Sequence, residues 1–220
     1  MTLTPEAAQA ISAQTLASMP TTLTQFACPI CGKTCVNYED LKFHYAAEHP
    51  DAVVPITVKL TVNEKECEVL IEPHWTLHRT LQFKLGLTGA KQMCDRGVCG
   101  SCTVIMDGDA VTSCMLLTVD CDGRHITTIE GLQDPKTGEL DPLQQAFIDE
   151  YAFQCGYCTP GMVLAGEALL RKNPNPAEAD IRKALSGNLC RCTGYNLIVE
   201  AINQAAQRNQ QRGQSLWSSK

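Results

Sequence analysis

Aromatic residues make up only 5% of this 220-residue chain and charged residues only 19%. No stretch approaches the ~20 consecutive apolar residues of a membrane span. The opening MTLTPEAAQAISAQTLASMP has neither the cationic n-region nor the apolar h-region of an export signal, and there is no twin arginine. An intracellular, cytoplasmic location is therefore expected. A net charge of -6 argues against broad nucleic-acid binding. There is no Rossmann or P-loop glycine pattern, no nucleophile–base pair and no acid–base dyad, so no catalytic residue is expected in this chain. What the chain has in excess is cysteine, 13 in all. It is long enough to bury a core without staples, and the odd count does not suit a fully paired disulfide framework. In a reducing compartment such clusters are metal ligands more often than disulfides.

Patterning divides the chain. Residues 1–24, rich in Ala, Thr, Ser and Gln, read as a flexible tail, and 25–50 form a compact Cys/His segment closed by HPDAVVP. From Ile56 the period is two: ITVKLTV, a turn at Asn63-Glu64-Lys65, then ECEVLI. A helix is predicted from the N-cap Thr76 through Leu77, Leu81 and Leu85 to Gly86. CTVIM and AVTSCMLLTV are then expected as strands around Asp107-Gly108, followed by the strand HITTIE. Strands crossed by one helix make an α+β unit over 55–130. DPLQQAFIDEY, PGMVLAGEALLRK, NPAEADIRKAL and NLIVEAINQAAQ each open near Asp, Pro or Asn and carry an apolar stripe, which predicts a four-helix unit over 131–207. Residues 208–220 read as a second flexible tail.

Cys94, Cys99, Cys102 and Cys114 have the C-x4-C-x2-C…C spacing of plant-type 2Fe-2S sites. Two sulfide-bridged irons need four thiolates from different directions, so a loop must wrap the cluster while a neighbouring strand supplies the last ligand. Gly97 and Gly100 let backbone amides approach the sulfurs. Buried structural cysteines or a zinc site are the competing readings. Cys155, Cys158, Cys190 and Cys192, in QCGYCTPG and NLCRCTGY, lie at helix boundaries and offer C-x2-C and C-x-C to one centre. Spacing alone leaves zinc and an iron–sulfur cluster both open there.

CDRGVCGSCTV, QCGYCTPGM and LSGNLCRCTGY, in this order and separation, resemble the iron–sulfur subunit of the xanthine dehydrogenase and carbon monoxide dehydrogenase family of molybdenum hydroxylases, over residues 55–207. The resemblance implies a plant-type ferredoxin-like (β-grasp) domain followed by an all-α four-helix domain, each holding a 2Fe-2S cluster. It implies a molybdopterin-binding large subunit near the helical-domain cluster and an FAD-binding medium subunit beyond the other, with electrons relayed singly between them. It places Gln154 and Cys192 beside the pterin, where an amide can both donate and accept. Met93 departs from the glycine that many relatives carry before the first cluster cysteine, and could shield or shift that cluster. A freestanding two-cluster ferredoxin and a finger-bearing redox regulator are the alternatives.

The family does not account for FACPICGKTCVNYEDLKFHYAAEH. Cys28 and Cys31 form C-x2-C, twelve residues precede His44, and His49 completes H-x4-H, which is zinc-finger ligand spacing with both imidazoles expected on one helix. Phe26 and Leu41 stand where such a module keeps its core, and Cys35 holds the usual aromatic position. A chance spacing, or a site recruiting Cys35, are the other readings. Two lysines against three acids over 25–50 argue against DNA contact and favour a structural or subunit-docking module. Cys67 and Cys121 are expected to be buried small hydrophobes, and His74, His78 and His125 to be ordinary.

Overall fold

The computed structural model describes residues 26–211. The expected tail over 1–24 lies outside them. β1 (Phe26–Ala27) and β2 (Thr34–Cys35) form a short antiparallel hairpin, followed by α1 (Tyr38–Glu48), whose N-terminus is capped by the Asn37 side chain.

β3 (Ile56–Val62) and β4 (Lys65–Ile71) form the expected hairpin, turning at Asn63 and Glu64, both at positive φ. α2 (Leu77–Phe83) starts at Thr76, whose hydroxyl accepts from the Arg79 N–H. β5 (Thr103–Met106) and β6 (Asp109–Thr112) make a second hairpin, and β7 (His125–Thr127) joins the two. The sheet order is β4-β3-β7-β5-β6, with β7 parallel to β3 and antiparallel to β5. Val58, Leu60, Val62, Val69, Ile71 and Val104 form one core with Leu77 and Leu81 of α2.

The sequence pattern overextended two strands. The one begun at Ala110 ends at Thr112, and Ser113–Met115 and Thr118–Cys121 are 3-10 turns; HITTIE is strand only to Thr127. At the first break, the Ser113 N–H and hydroxyl both bond the Cys102 carbonyl, at 3.3 and 2.7 Å, and this curls the chain out of the ladder.

Four helices follow: α3 (Pro142–Asp149), α4 (Thr159–Lys172), α5 (Glu178–Ala184) and α6 (Asn196–Gln211). α3 opens with a capping box of Asp141 and Gln144. α6 runs to Gln211, four residues past the boundary expected at 207, and the rest of that expected tail lies outside the described residues. The helices share a core of Leu143, Phe147, Met162, Ile181, Ile198 and Ile202. α4 also reaches the sheet: Leu164 and Ala168 pack on Ile105, while the adjacent Val104 faces α2. β5 is therefore buried on both faces, which explains its unbroken apolar run. Among the described residues no helix is long and apolar enough to cross a membrane.

Candidate metal centres

The loop from Lys91 to Ser101, closed by the bond from the Lys91 N–H to the Ser101 carbonyl, carries Cys94 and Cys99. Cys94 receives the amide N–H of Arg96 and those of Cys99 and Val98, and with the Arg96 amide as the largest cause its thiol is held down at about 6. Amides thus aim at a sulfur in this glycine-bearing loop. Cys102 immediately precedes β5 and is pushed up to about 12, chiefly by burial. Cys114 comes from the 3-10 turn rather than from a strand, and Ser113 brings it beside Cys102.

The second set lies on the loops before α4 and α6. Cys192 and Cys155 Sγ are 3.7 Å apart, and their contact raises Cys192. Cys158 and Cys190 form the other contacting pair; burial first, then Cys190, pushes Cys158 up to about 12. Burial also raises Cys190, but hydrogen bonds from the Thr193 hydroxyl and N–H outweigh it and hold the thiol below its usual value. The Cys190 N–H in turn bonds the Tyr195 hydroxyl at 2.9 Å.

Neither set suits a single ion. A tetrahedral zinc with bonds of about 2.3 Å requires every sulfur pair to stand about 3.8 Å apart. Among the described residues the only group of three or more such ligands with all its ligand atoms within 4.8 Å of one another is Cys28, Cys31, His44 and His49. Each four-cysteine set instead resolves into two contacting pairs, 94 with 99 and 102 with 114, then 155 with 192 and 158 with 190. Two separated pairs fit two bridged irons.

The two loops touch. The Leu189 N–H donates to the Cys99 carbonyl at 2.9 Å, and Asn188 donates from Nδ2 to the Gly100 carbonyl at 3.0 Å and the Thr103 hydroxyl at 3.2 Å. The approach leaves no room for side chains. A Cβ on Gly161 would stand 2.4 Å from the Gly100 carbonyl, and one on Gly100, at φ +68, would stand 2.5 Å from the Gly187 carbonyl. Sequence reasoning missed Asn188, Leu189, Thr193 and Tyr195. All sit inside the conspicuous LSGNLCRCTGY run, but only the fold reveals what they touch. Tyr157 also ties the loops together, its hydroxyl donating to the Gln92 carbonyl at 2.5 Å.

Gln154 is exposed and donates from Nε2 to the Cys192 carbonyl at 3.0 Å, so the two residues expected beside one ligand do stand together. Met93 is 53% exposed rather than folded over the loop. Cys67 and Cys121 are buried, and no disulfide joins any of the thirteen cysteines. His78 is buried with Nε2 3.1 Å from the Ala90 carbonyl, an ordinary core contact.

The chain matches a 2Fe-2S iron-sulfur cluster binding domain over residues 41–145 and a 2Fe-2S binding domain over 128–203. It is 46% identical over 153 residues to the nicotinate dehydrogenase small FeS subunit of Eubacterium barkeri, covering 70% of this chain and 96% of that one. The chain belongs to the iron–sulfur subunits of the xanthine and nicotinate dehydrogenase family. It is thus a non-catalytic, electron-transferring subunit of an oxidoreductase. A second member, the xanthine dehydrogenase iron-sulfur-binding subunit of Escherichia coli, is 41% identical over 152 residues, covering 67% of this chain and 92% of its own. Among solved structures, quinoline 2-oxidoreductase from Pseudomonas putida 86 has a chain that superposes with a TM-score of 0.68 at 41% identity, covering 72% of this chain and 98% of that one.

Proposed function

We propose that this subunit relays electrons one at a time between a molybdopterin site on a large subunit and FAD on a medium subunit of a molybdenum-containing hydroxylase complex. Bound 2Fe-2S clusters supply the one-electron carriers. In this reading the sheet unit is a plant-type ferredoxin-like domain, in which Cys94 and Cys99 would hold one iron and Cys102 and Cys114 the other. In the four-helix domain, Cys155 and Cys192 would hold one iron and Cys158 and Cys190 the other. The pairing of contacting thiols supports both assignments.

The observation that carries the relay is the Leu189 N–H bond to the Cys99 carbonyl. Cys99 belongs to the first site, and Leu189 directly precedes Cys190 of the second, so backbone and one hydrogen bond connect the two centres. Asn188 is the positioning residue that holds this crossing.

At the outer end, the Gln154 bond to Cys192 leaves the amide oxygen available to a pterin edge. Tyr151, Phe153 and Tyr157, close in sequence to Gln154, and Leu197, shortly after Cys192, are exposed, and Tyr151 is 78% exposed. Such exposed apolar side chains favour a subunit interface over a freestanding ferredoxin. Thirteen unpaired cysteines are in keeping with a reducing, cytoplasmic setting.

Purification of the native complex, with iron, molybdenum and flavin counted per copy, tests the assignment. About four iron per chain are expected, in two electron paramagnetic resonance signals that broaden each other when both centres are reduced. A chain that purifies alone, without molybdenum or flavin, would establish the freestanding ferredoxin instead.

A further inference from the structure

The N-terminal hairpin and α1 contribute no cysteine to the relay, and the match to the Eubacterium barkeri subunit leaves about three tenths of this chain outside its 70%. We propose that Cys28, Cys31, His44 and His49 form a closed zinc site, and that the zinc-filled module is a cap on the outward face of β4. The four ligand atoms lie within 4.8 Å of one another. That gathering suits a single ion and not a two-iron cluster, whose ligands divide between two metals.

Local structure builds the site from both ends. The Gly32 N–H bonds the Cys28 carbonyl and the Cys28 N–H bonds the Lys33 carbonyl, each at 2.8 Å, folding the C-x2-C segment into a tight turn between β1 and β2. His44 lies within α1. His49 is not on the helix, as its spacing suggested, but is the C-cap residue, with its N–H on the Tyr45 carbonyl and a non-helical backbone. The extra residue of H-x4-H relative to one helical turn is absorbed by that departure.

The unmet bonding points to a cation. His44 is only 7% exposed, with Nε2 3.1 Å from Cys31 Sγ, close enough for both to reach one ion, and His49 Nε2 is buried with no hydrogen-bond partner. A buried imidazole nitrogen without a partner is destabilising, and an ion coordinated at His49 Nε2 would remove that cost. Around the ligands, the fully buried Tyr45 hydroxyl hydrogen-bonds Cys28, whose sulfur also faces the amides of Cys31 and Ile30. Such outer partners orient and steady a metal-bound thiolate. Two thiolates and two imidazoles with no vacant side make a structural rather than a catalytic site. Cys35 stands outside it, packed with Leu41 and Tyr45, which removes the three-thiolate alternative.

The capping role follows from what completes the core. The module buries Cys28, Cys35, Leu41 and Tyr45, and the fifth member of that cluster is Leu70 of β4. Val69 and Ile71, on either side of it, face the sheet's own core, so Leu70 points outward and is covered by the module. The Tyr38 hydroxyl bond to the Pro55 carbonyl, 2.8 Å, fastens the module at the start of β3. A core this small does not hold a fold without a staple, so metal loading decides whether Leu70 is covered.

The test measures zinc and iron together on the purified native complex, in the wild type and in Cys31→Ser, His49→Ala and Cys35→Ser. About one zinc and about four iron per chain are expected in the wild type and in Cys35→Ser. Cys31→Ser and His49→Ala are expected to lose the zinc, keep the iron and the visible cluster spectrum, and expose residues 26–50 to protease and to fast amide exchange. Wild type with iron but no zinc, zinc retained in both ligand variants, or unchanged protection after zinc loss would each overturn the proposal. A complex with zinc but no iron would refute the relay and leave the cap standing.

Discussion

The two cysteine loops differ in where their sulfurs face. In the sheet unit Cys99, Cys102 and Cys114 are buried and Cys94 half-buried, whereas in the helical unit Cys155 and Cys192 are exposed and Cys158 and Cys190 half-buried. The first loop is closed by its own chain, through amides on Cys94, the Ser113 turn and the crossing from Leu189. The second opens outward beside Gln154, with exposed aromatics close by in sequence. The contrast teaches that one set of thiols is enclosed by this chain while the other is left open at its surface, as the proposed docking on a large subunit requires.

Cysteine replacement should produce the largest effects and bring the contrast out most clearly. Cys102→Ser and Cys155→Ser should each remove about two iron per chain. Only the first should also lower the melting temperature strongly, since its sulfur lies in the interior; equal losses of stability would break the comparison. Next comes Gly161→Ala, whose Cβ would press on the Gly100 carbonyl. Overpacking of that kind costs about 1–3 kcal/mol, readable by denaturant titration. Asn188→Ala should cost a similar or smaller amount by removing the side-chain tie to the Gly100 carbonyl, which keeps the Thr103 hydroxyl and N–H as donors, and should weaken the magnetic interaction between the two centres while iron content holds.

Stability should also depend on pH. Glu167 of α4 is 1% exposed, and burial first, then the charge of Asp141, raise its carboxyl to about 8 against the pull of Arg171. The folded state keeps a proton that the unfolded chain releases near its ordinary value of 4.5, so this group should erode stability as pH rises from there to about 8. Glu167→Gln should flatten that slope in melts taken across the range. The smallest effect belongs to Gln154→Ala, which should leave iron content and melting of the isolated chain unchanged and reveal itself only as weaker hold on the large subunit.

Much of this was legible because its signals are local. The hairpin at Asn63-Glu64, the cap at Thr76 and the helix start near Asp141 each depend on a few adjacent residues, and the structure places them as the pattern indicates. The strand written through Ser113 failed for a reason no propensity carries: a serine bonding the carbonyl of Cys102, eleven residues earlier, bends the chain there. Likewise the spacing of His44 and His49 suggested two helical ligands, but helix α1 ends at Glu48 and its C-cap carries the second.

The sequence by itself determined which residues are available for metal, how they divide into two sets of four cysteines and a Cys2His2 set, and which family the chain resembles. These follow from spacing, which a linear chain records directly. The tertiary structure alone decided which thiols pair, that Leu189 and Asn188 join one loop to the other, that Leu70 is covered by the N-terminal module and that Gln154 faces outward. Each of these depends on groups far apart along the chain meeting at hydrogen-bond or van der Waals distance, and only the packing of α4 against β5 and of α1 against β4 brings them there.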